Sequence, residues 1–413
     1  MTPRPKRRRV DASSLDSQPE SGHVDPYMPA TTQEREQWNG FCELESEPAL
    51  FNVMLREFGV KGVKVQEVVS LDDEMLALLN KPIYGLIFLF RWREDDPEKQ
   101  VASCPDGIWF ANQTASNACA TVALLNIVNN VEEIELGENL QHFKDFTTRF
   151  TPALRGDAIS NFEFVKRVHN SFARKMDILN ADLQLKQEAS SRRSRGGKNS
   201  HSEQDSVAGF HFIAFVPAQG KVWKFDGLER QPQALGDCTP DDWLELVKPN
   251  IITRMAEYEE GQIEFSILSL ARDPLPGLVD QLARNVRSLE TLNEHIASLN
   301  EPGANQGFAD PLLDSTLLGP DDSYELTRDQ IDHAIVPPEE VHVYQQCSVE
   351  EAIQTRLQLA SSQKPLRISI REEQQSRRAD EDYAAGRRFD YGPAVRTWVR
   401  FLARKRRIEE LVG

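Results

Sequence analysis

Apolar residues recur along this chain with two periods, and the switches between them outline its elements. Over 48–58, Leu50, Phe51, Met54, Leu55 and Phe58 fall on one face of a helix. The apolar run over 84–92 predicts a buried strand, and a shorter one is expected over 108–111. Helices are predicted over 118–130, 140–150 and 161–175. Strands follow over 211–217 and 221–225, joined at Gln219-Gly220, a two-residue hairpin signal, and a last strand covers 263–270. Further on, Leu282, Val286, Leu289, Leu292, Ile296 and Leu299 form a helical stripe, and 349–359 again reads as helix. The chain closes on a basic amphipathic segment over 391–412, carrying Val395, Trp398, Val399, Phe401, Leu402, Ile408 and Leu411. No internal repeat is visible.

Where the periodicity lapses, the sequence predicts tails, loops and linkers. Residues 1–35 are rich in Pro, Ser, Asp and Gln and read as a disordered tail. Within it Pro5-Lys6-Arg7-Arg8-Arg9-Val10 is a compact basic run of the kind that directs nuclear import. Residues 187–209, rich in Ser and Arg with Gly196-Gly197 inside, predict a long loop just before His211. The expected organisation is a tail over 1–35, a globular domain over 36–273, an amphipathic helix over 274–300, an acidic linker over 301–347 and a helical domain over 348–413.

Composition narrows the class. A chain of 413 residues with 39% hydrophobic content supports a real core. The net charge of −17 argues against nucleic acid as the main partner of the body. The 5 cysteines are scattered and form no CxxC pair, which argues against a zinc site or a disulfide framework and for a reducing compartment. The longest strongly apolar run is far too short to span a membrane. No apolar stretch follows the basic N-terminus, so it does not read as a signal peptide.

One constellation carries chemistry. Cys119 opens the predicted helix at 118–130 and follows a polar loop that contains Gln113. A thiol attacks as thiolate, and a helix N-terminus with its unpaired N–H groups favours that form. His211 is the candidate general base and acid, and Asp226 the carboxylate that orients it. Gln113, six residues before Cys119, is placed to donate its side-chain amide to an oxyanion, with the Cys119 N–H as second donor. Each residue alone has a plainer reading: a small buried apolar group, a structural histidine, a turn aspartate. Their order along the chain makes a cysteine peptidase site. No metal or cofactor is called for. His169, on a predicted helix in Val168-His169-Asn170-Ser171-Phe172, is read as structural.

The stretch over 38–272 resembles the ubiquitin C-terminal hydrolases, a papain-like cysteine peptidase family. The matching residues are Gln113 with Asn117-Ala118-Cys119-Ala120-Thr121, then His211-Phe212, then Asp226-Gly227-Leu228. Cys42-Glu43-Leu44-Glu45-Ser46-Glu47-Pro48, Gly85-Leu86-Ile87-Phe88-Leu89-Phe90 and Asp241-Asp242-Trp243 match as well. The resemblance implies an α/β fold: a central, mostly antiparallel sheet flanked by helices, with a knotted backbone, followed by a helical C-terminal extension. It implies that the chain hydrolyses the bond after the C-terminal glycine of ubiquitin, with the 187–209 loop crossing the active site.

The tail is similar to that of the family's longer members, through Arg387-Arg388-Phe389-Asp390-Tyr391-Gly392-Pro393-Ala394-Val395 with Leu402-Ala403 and Leu411-Val412 behind. In those members the tail binds a helical adaptor domain, on a proteasome ubiquitin receptor or a chromatin partner. The resemblance therefore implies a partner for 348–413, adaptor-regulated activity and residence in nucleus and cytoplasm. The alternative from another class is a catalytically silent ubiquitin-binding scaffold. A third reading, from the basic ends, is an interaction protein associated with nucleic acid.

Overall fold

The computed structural model describes residues 28–92, 97–183, 209–256, 265–299, 316–405 and 407. The basic run at 5–10 lies outside them, as does the loop predicted over 187–209 except for Gly209. Six strands form one sheet in the order β1-β6-β2-β3-β4-β5: β1 Val63–Glu67, β2 Ile83–Arg91, β3 Phe210–Ala218, β4 Lys221–Phe225, β5 Gln233–Asp237 and β6 Phe265–Arg272. Every neighbouring pair in the sheet is antiparallel.

The central strands are apolar at successive positions because both faces of the sheet are covered. Strand alternation sorts their residues. Ile87, Phe212, Ala214, Val216, Leu268 and Leu270 pack on one face with the helices Pro48–Glu57 and Cys119–Val128. Leu86, Phe88, Phe90, Ile213, Phe215 and Ile267 pack on the other with Trp243, Val247 and Ile251 of the helix Trp243–Ala256. β3 turns into β4 at Gln219 and Gly220, whose φ values of 51° and 71° suit the two-residue turn that follows strand twist. The register pairs Ala214 with Phe225, so the start of β3 and the end of β4 lie at one end of the sheet.

The helix Cys119–Val128 is buried from Ala120 to Val128. It lies against β3 and β2 inside the core, and its N-terminus reaches the same end of the sheet.

The C-terminal region departs from expectation. The stretch expected as a linker over 301–347 contains the helices Arg328–His333 and Pro338–Gln346, with Tyr324, Leu326, Ile331 and Tyr344 buried. Among its described residues, Asp322, Glu325, Asp329, Asp332, Glu339 and Glu340 are exposed, while these apolar ones bury on the helix Pro274–Ser298. The helix expected over 349–359 runs from Val349 to Arg388, 40 residues, which we call the tail helix. It lies antiparallel to Pro274–Ser298: Asn285 donates to the Leu359 carbonyl and to Ser362, and Arg377 pairs with Asp273. Its second half reaches the sheet domain through Lys64–Glu373, Arg56–Asp380 and Arg56–Glu381 pairs. A terminal helix, Gly392–Arg404, ends the described chain.

Two smaller corrections concern the N-terminal half. The helix Thr32–Gln37 begins inside the stretch expected to be disordered over 1–35, nucleated by a capping box between Thr31 and Glu34. No strand forms over 108–111. That segment has no regular secondary structure, and side chains rather than a neighbouring strand take its backbone groups.

Candidate active site

Cys119 is the first residue of its helix and is only partly buried. The N-cap is Ala118, which offers no side-chain acceptor, so the first N–H groups of the helix are left without a side-chain cap. Uncapped N–H groups and the positive end of the helix dipole favour an anion there, be it a thiolate or an oxyanion. The chain enters this helix through Asn117, whose φ of 62° is left-handed, a conformation Asn tolerates better than most residues. The Asn117 amide donates to the Phe41 carbonyl at 3.3 Å. Cys119 opens onto a cleft of about 260 Å³, lined also by Glu43, Glu45, Phe210, Phe212 and Arg387.

His211, the second residue of β3, is almost wholly buried, as is Asp226 just beyond β4. His211 Nε2 donates to Asp226 Oδ1 at 2.7 Å, and Oδ1 also accepts the Leu228 N–H at 2.9 Å. Burial opposes charge on the imidazole. The hydrogen bonds with Asp226 and the Cys119 side chain, and the negative charge of both, outweigh it and raise His211 to about 9. Burial likewise pushes the Asp226 carboxyl up, but the His211 hydrogen bond and charge and the Leu228 N–H hold it below the usual carboxylate value. At neutral pH the pair is therefore an imidazolium on a carboxylate, placed beside the Cys119 sulfur.

Gln113 sits in the loop before the helix. Its N–H donates to the Gly227 carbonyl at 2.8 Å, which ties this loop to the segment that carries Asp226. The neighbouring Asn112 amide reinforces the tie, donating to the carbonyls of Gly227 at 3.3 Å and Glu229 at 2.6 Å. The Gln113 side-chain Oε1 is buried and has no hydrogen-bond partner. Thus the structure joins Gln113 to the Asp226 segment, and brings His211 to Asp226 and to Cys119.

A family model described as ubiquitin carboxyl-terminal hydrolase, family 1, matches residues 41–256, more than half of the chain. The chain belongs to this family. It is by that membership a cysteine-type ubiquitin hydrolase, with the family's antiparallel sheet and flanking helices and a helical region beyond. The ubiquitin carboxyl-terminal hydrolase isozyme L5 of Dictyostelium discoideum is 38% identical over 261 residues, covering 63% of this chain and 70% of the relative. The ubiquitin carboxyl-terminal hydrolase ubh-4 of Caenorhabditis elegans is 37% identical over 273 residues, covering 65% and 78%. Among solved structures, that of Trichinella spiralis UCH37 bound to ubiquitin vinyl methyl ester is 31% identical, with a TM-score of 0.45, covering 59% of this chain and 86% of that one.

Several residues that shape this hydrolase site are absent from the sequence-based prediction. Asn126, on the helix that Cys119 opens, and Asn130, in the turn that follows it, bond both backbone groups of Ala111 and Trp109 respectively and so hold the segment leading into the Gln113 loop. Gly156, in the helix Pro152–Ser160, lets that helix press on the loop: a Cβ there would lie 2.1 Å from the Asn112 carbonyl oxygen. Gly227 allows the close approach on the other side, where a Cβ would meet Gln113 N at 3.0 Å and its Cβ at 3.1 Å. The signal for the asparagines is visible afterwards: a polar Asn126 inside a largely apolar helix, and Asn130 four residues on, just past its end.

His169, read as structural, is fully enclosed. Its Nε2 faces the Cys42 carbonyl at 2.8 Å and must donate, so Nδ1 accepts from the Thr121 hydroxyl at 2.7 Å. Burial lowers it to about 4, only partly opposed by the Cys42 carbonyl, and it stays neutral.

Proposed function

We propose that Cys119 attacks the carbonyl of the C-terminal glycine of ubiquitin in conjugates or precursors, and that His211, Asp226 and Gln113 complete the machinery. The observation that carries this reading is the buried 2.7 Å bond from His211 Nε2 to Asp226 Oδ1, with the imidazole also engaging Cys119. The carboxylate fixes the tautomer and orientation of the ring, which leaves Nδ1 for the thiol. Thiolate attack gives a tetrahedral oxyanion that the Cys119 N–H and the Gln113 amide stabilise. The imidazolium then protonates the leaving amine. Water, deprotonated by His211, hydrolyses the thioester and releases ubiquitin with a free C-terminus. The nucleophile, acid and oxyanion donors are all protein groups, and the step needs no cofactor.

Regulation and address extend the same reading. The terminal helix Gly392–Arg404 buries no residue, and Val395, Trp398 and Val399 lie exposed at helical spacing with Phe401 beside them. That apolar face suits a helical adaptor domain, on a proteasome ubiquitin receptor or a chromatin partner. The domain division that follows is a catalytic unit over 36–273 and an adaptor-binding unit within 348–413. The Pro5-Lys6-Arg7-Arg8-Arg9-Val10 run supports a protein that partitions between nucleus and cytoplasm.

The test is release of a fluorophore from the C-terminus of ubiquitin by wild type, Cys119→Ala and Gln113→Ala. The reading requires turnover by wild type, none by Cys119→Ala, and a loss of about 10²–10³ in kcat for Gln113→Ala. Wild type that binds ubiquitin without turning it over, even with adaptors added, would sink the enzyme and leave the scaffold.

A further inference from the structure

The cleft beside Cys119 is built partly by the tail. Arg387, one residue from the end of the tail helix, lines that cleft although its side chain is only 6% exposed. Its Nε donates to both carboxylate oxygens of Glu45, at 2.9 and 3.0 Å. Its Nη1 donates to Asp177 Oδ2 at 2.9 Å and to the Phe172 carbonyl at 2.8 Å. Asp177 Oδ2 also accepts the Arg174 N–H at 2.9 Å. One buried guanidinium thus joins two carboxylates that belong to different walls of the cleft: Glu45 on the segment after Cys42, and Asp177 beyond the buried Phe172.

Charge-assisted bonds of this kind are the strong ones, and the fork of Arg fixes direction as well as distance. Without Arg387, Glu45 and Asp177 would face each other as like charges, and the Phe172 carbonyl would lose a donor. The 43–46 segment holds Glu43, Leu44, Glu45 and Ser46 on the rim of the same cleft as Asn117 and Cys119. It is the part of the wall whose position the clamp decides. The seam around it is continuous: Arg388 bonds Glu57 and Ser171, and Asp390 accepts the Lys175 N–H.

We propose that Arg387 is a positioning residue of the hydrolase cleft: from the tail, it holds Glu45 and Asp177 in place and so sets the affinity of the cleft for the extended C-terminal segment of the substrate. This rests on Cys119 being the nucleophile, and it makes the tail a structural component of the substrate site rather than only an appendage to it. Arg387 acts through Glu45 and Asp177 and does not touch the reacting atoms.

The experiment uses the full chain with Arg387→Ala, Arg387→Lys, Glu45→Ala and the Arg387→Ala/Glu45→Ala pair, each checked for folding by its melting temperature. Ubiquitin–fluorophore hydrolysis gives KM and kcat, and iodoacetamide reports the intrinsic reactivity of Cys119. The expected result is a KM raised about tenfold in Arg387→Ala, the scale for losing one partner of a charged hydrogen bond. Alkylation should be unchanged, Arg387→Lys should fall between, and the double variant should be no worse than the poorer single. An unchanged KM, additive effects in the pair, or kcat and alkylation falling together would overturn the proposal. If wild type bound ubiquitin without turnover, the enzyme reading would fail separately. The Kd for ubiquitin would then judge the clamp: weakened by Arg387→Ala if it operates, unchanged if it does not.

Discussion

Asn126 takes both backbone groups of Ala111: the Ala111 N–H donates to Oδ1 at 2.8 Å, and Nδ2 donates to the Ala111 carbonyl at 3.3 Å. The side chain stands in for a neighbouring strand, so this buried segment can lie in the core without joining the sheet. Since Asn126 lies two turns along the helix that begins at Cys119, it links the positions of Cys119 and Gln113 through rigid structure. Asn126→Ala leaves two buried backbone groups unpaired, at about 1–3 kcal/mol each. The expected outcome is a clear drop in melting temperature, with kcat on ubiquitin–fluorophore falling while iodoacetamide still modifies Cys119 at the wild-type rate. Unchanged kcat in a folded variant would show that the Gln113 loop is held by other contacts.

The His211–Asp226 bond predicts a pH profile. The His211 proton is held to about 9 by Asp226 and Cys119 against the cost of burial. The general acid is therefore present at neutral pH and lost as pH rises through about 9, which places the alkaline limb of kcat/KM there. In Asp226→Asn the ring loses a charged acceptor, its folded pKa drops, and the limb moves to lower pH. A loss of kcat of about 10²-fold or more accompanies this, the scale of general acid–base catalysis. The stability sign is the same: a pKa raised in the fold stabilises fully below the ordinary histidine value and loses that contribution as pH rises through about 9. Coincident alkaline limbs in wild type and Asp226→Asn would refute the assignment.

The meeting of His211 and Asp226 is legible in the sequence because His211 lies on β3 and Asp226 follows β4, strands joined by a recognisable turn, so the separation is local and register does the rest. The buried centre of the sheet is legible too, as β2 and β3 are continuous apolar runs. The edges are not. β1 and β5 are five-residue strands with mostly half-buried residues, and the helix Trp243–Ala256 carries Pro249 inside it, which argues locally against helix. The expected linker fails for a related reason: its Pro and acidic residues dominate composition, while a few apolar anchors such as Tyr324 and Ile331 decide packing. Arg387 and Glu45 are 342 positions apart, and no local pattern encodes that contact.

His169 gives the opposite pH dependence. Held neutral between the Cys42 carbonyl and Thr121 and lowered to about 4, it refuses a proton that the unfolded chain accepts below about 6.5. Above that value it costs nothing. As pH falls from about 6.5 toward 4, stability is lost, by at most about 1.4 kcal/mol per pH unit from this one group. Melting temperature measured over that interval should fall for wild type and fall less steeply for His169→Gln, which is less stable at pH 7 but has nothing to titrate. Parallel curves would remove His169 from the acid response.

The terminal helix offers the cleanest separation of catalysis from recruitment. Trp398 is 69% exposed and Phe401 51%, large apolar surfaces on a helix that buries no side chain of its own. Removing them costs the isolated fold little, since surface substitutions away from packing usually stay within about 0.5 kcal/mol. In a docked helix, by contrast, aromatic side chains commonly anchor the interface, and truncating one costs about 2 kcal/mol or more. Trp398→Ser and Phe401→Ser should therefore leave the melting temperature and the adaptor-free hydrolysis of ubiquitin–fluorophore unchanged. They should weaken capture of a helical adaptor domain by the 348–413 segment of the full chain more than tenfold, read by calorimetry. Equal binding by wild type and variants would move the adaptor site elsewhere. A matching loss of basal hydrolysis would mean that this helix also supports the fold of the catalytic unit.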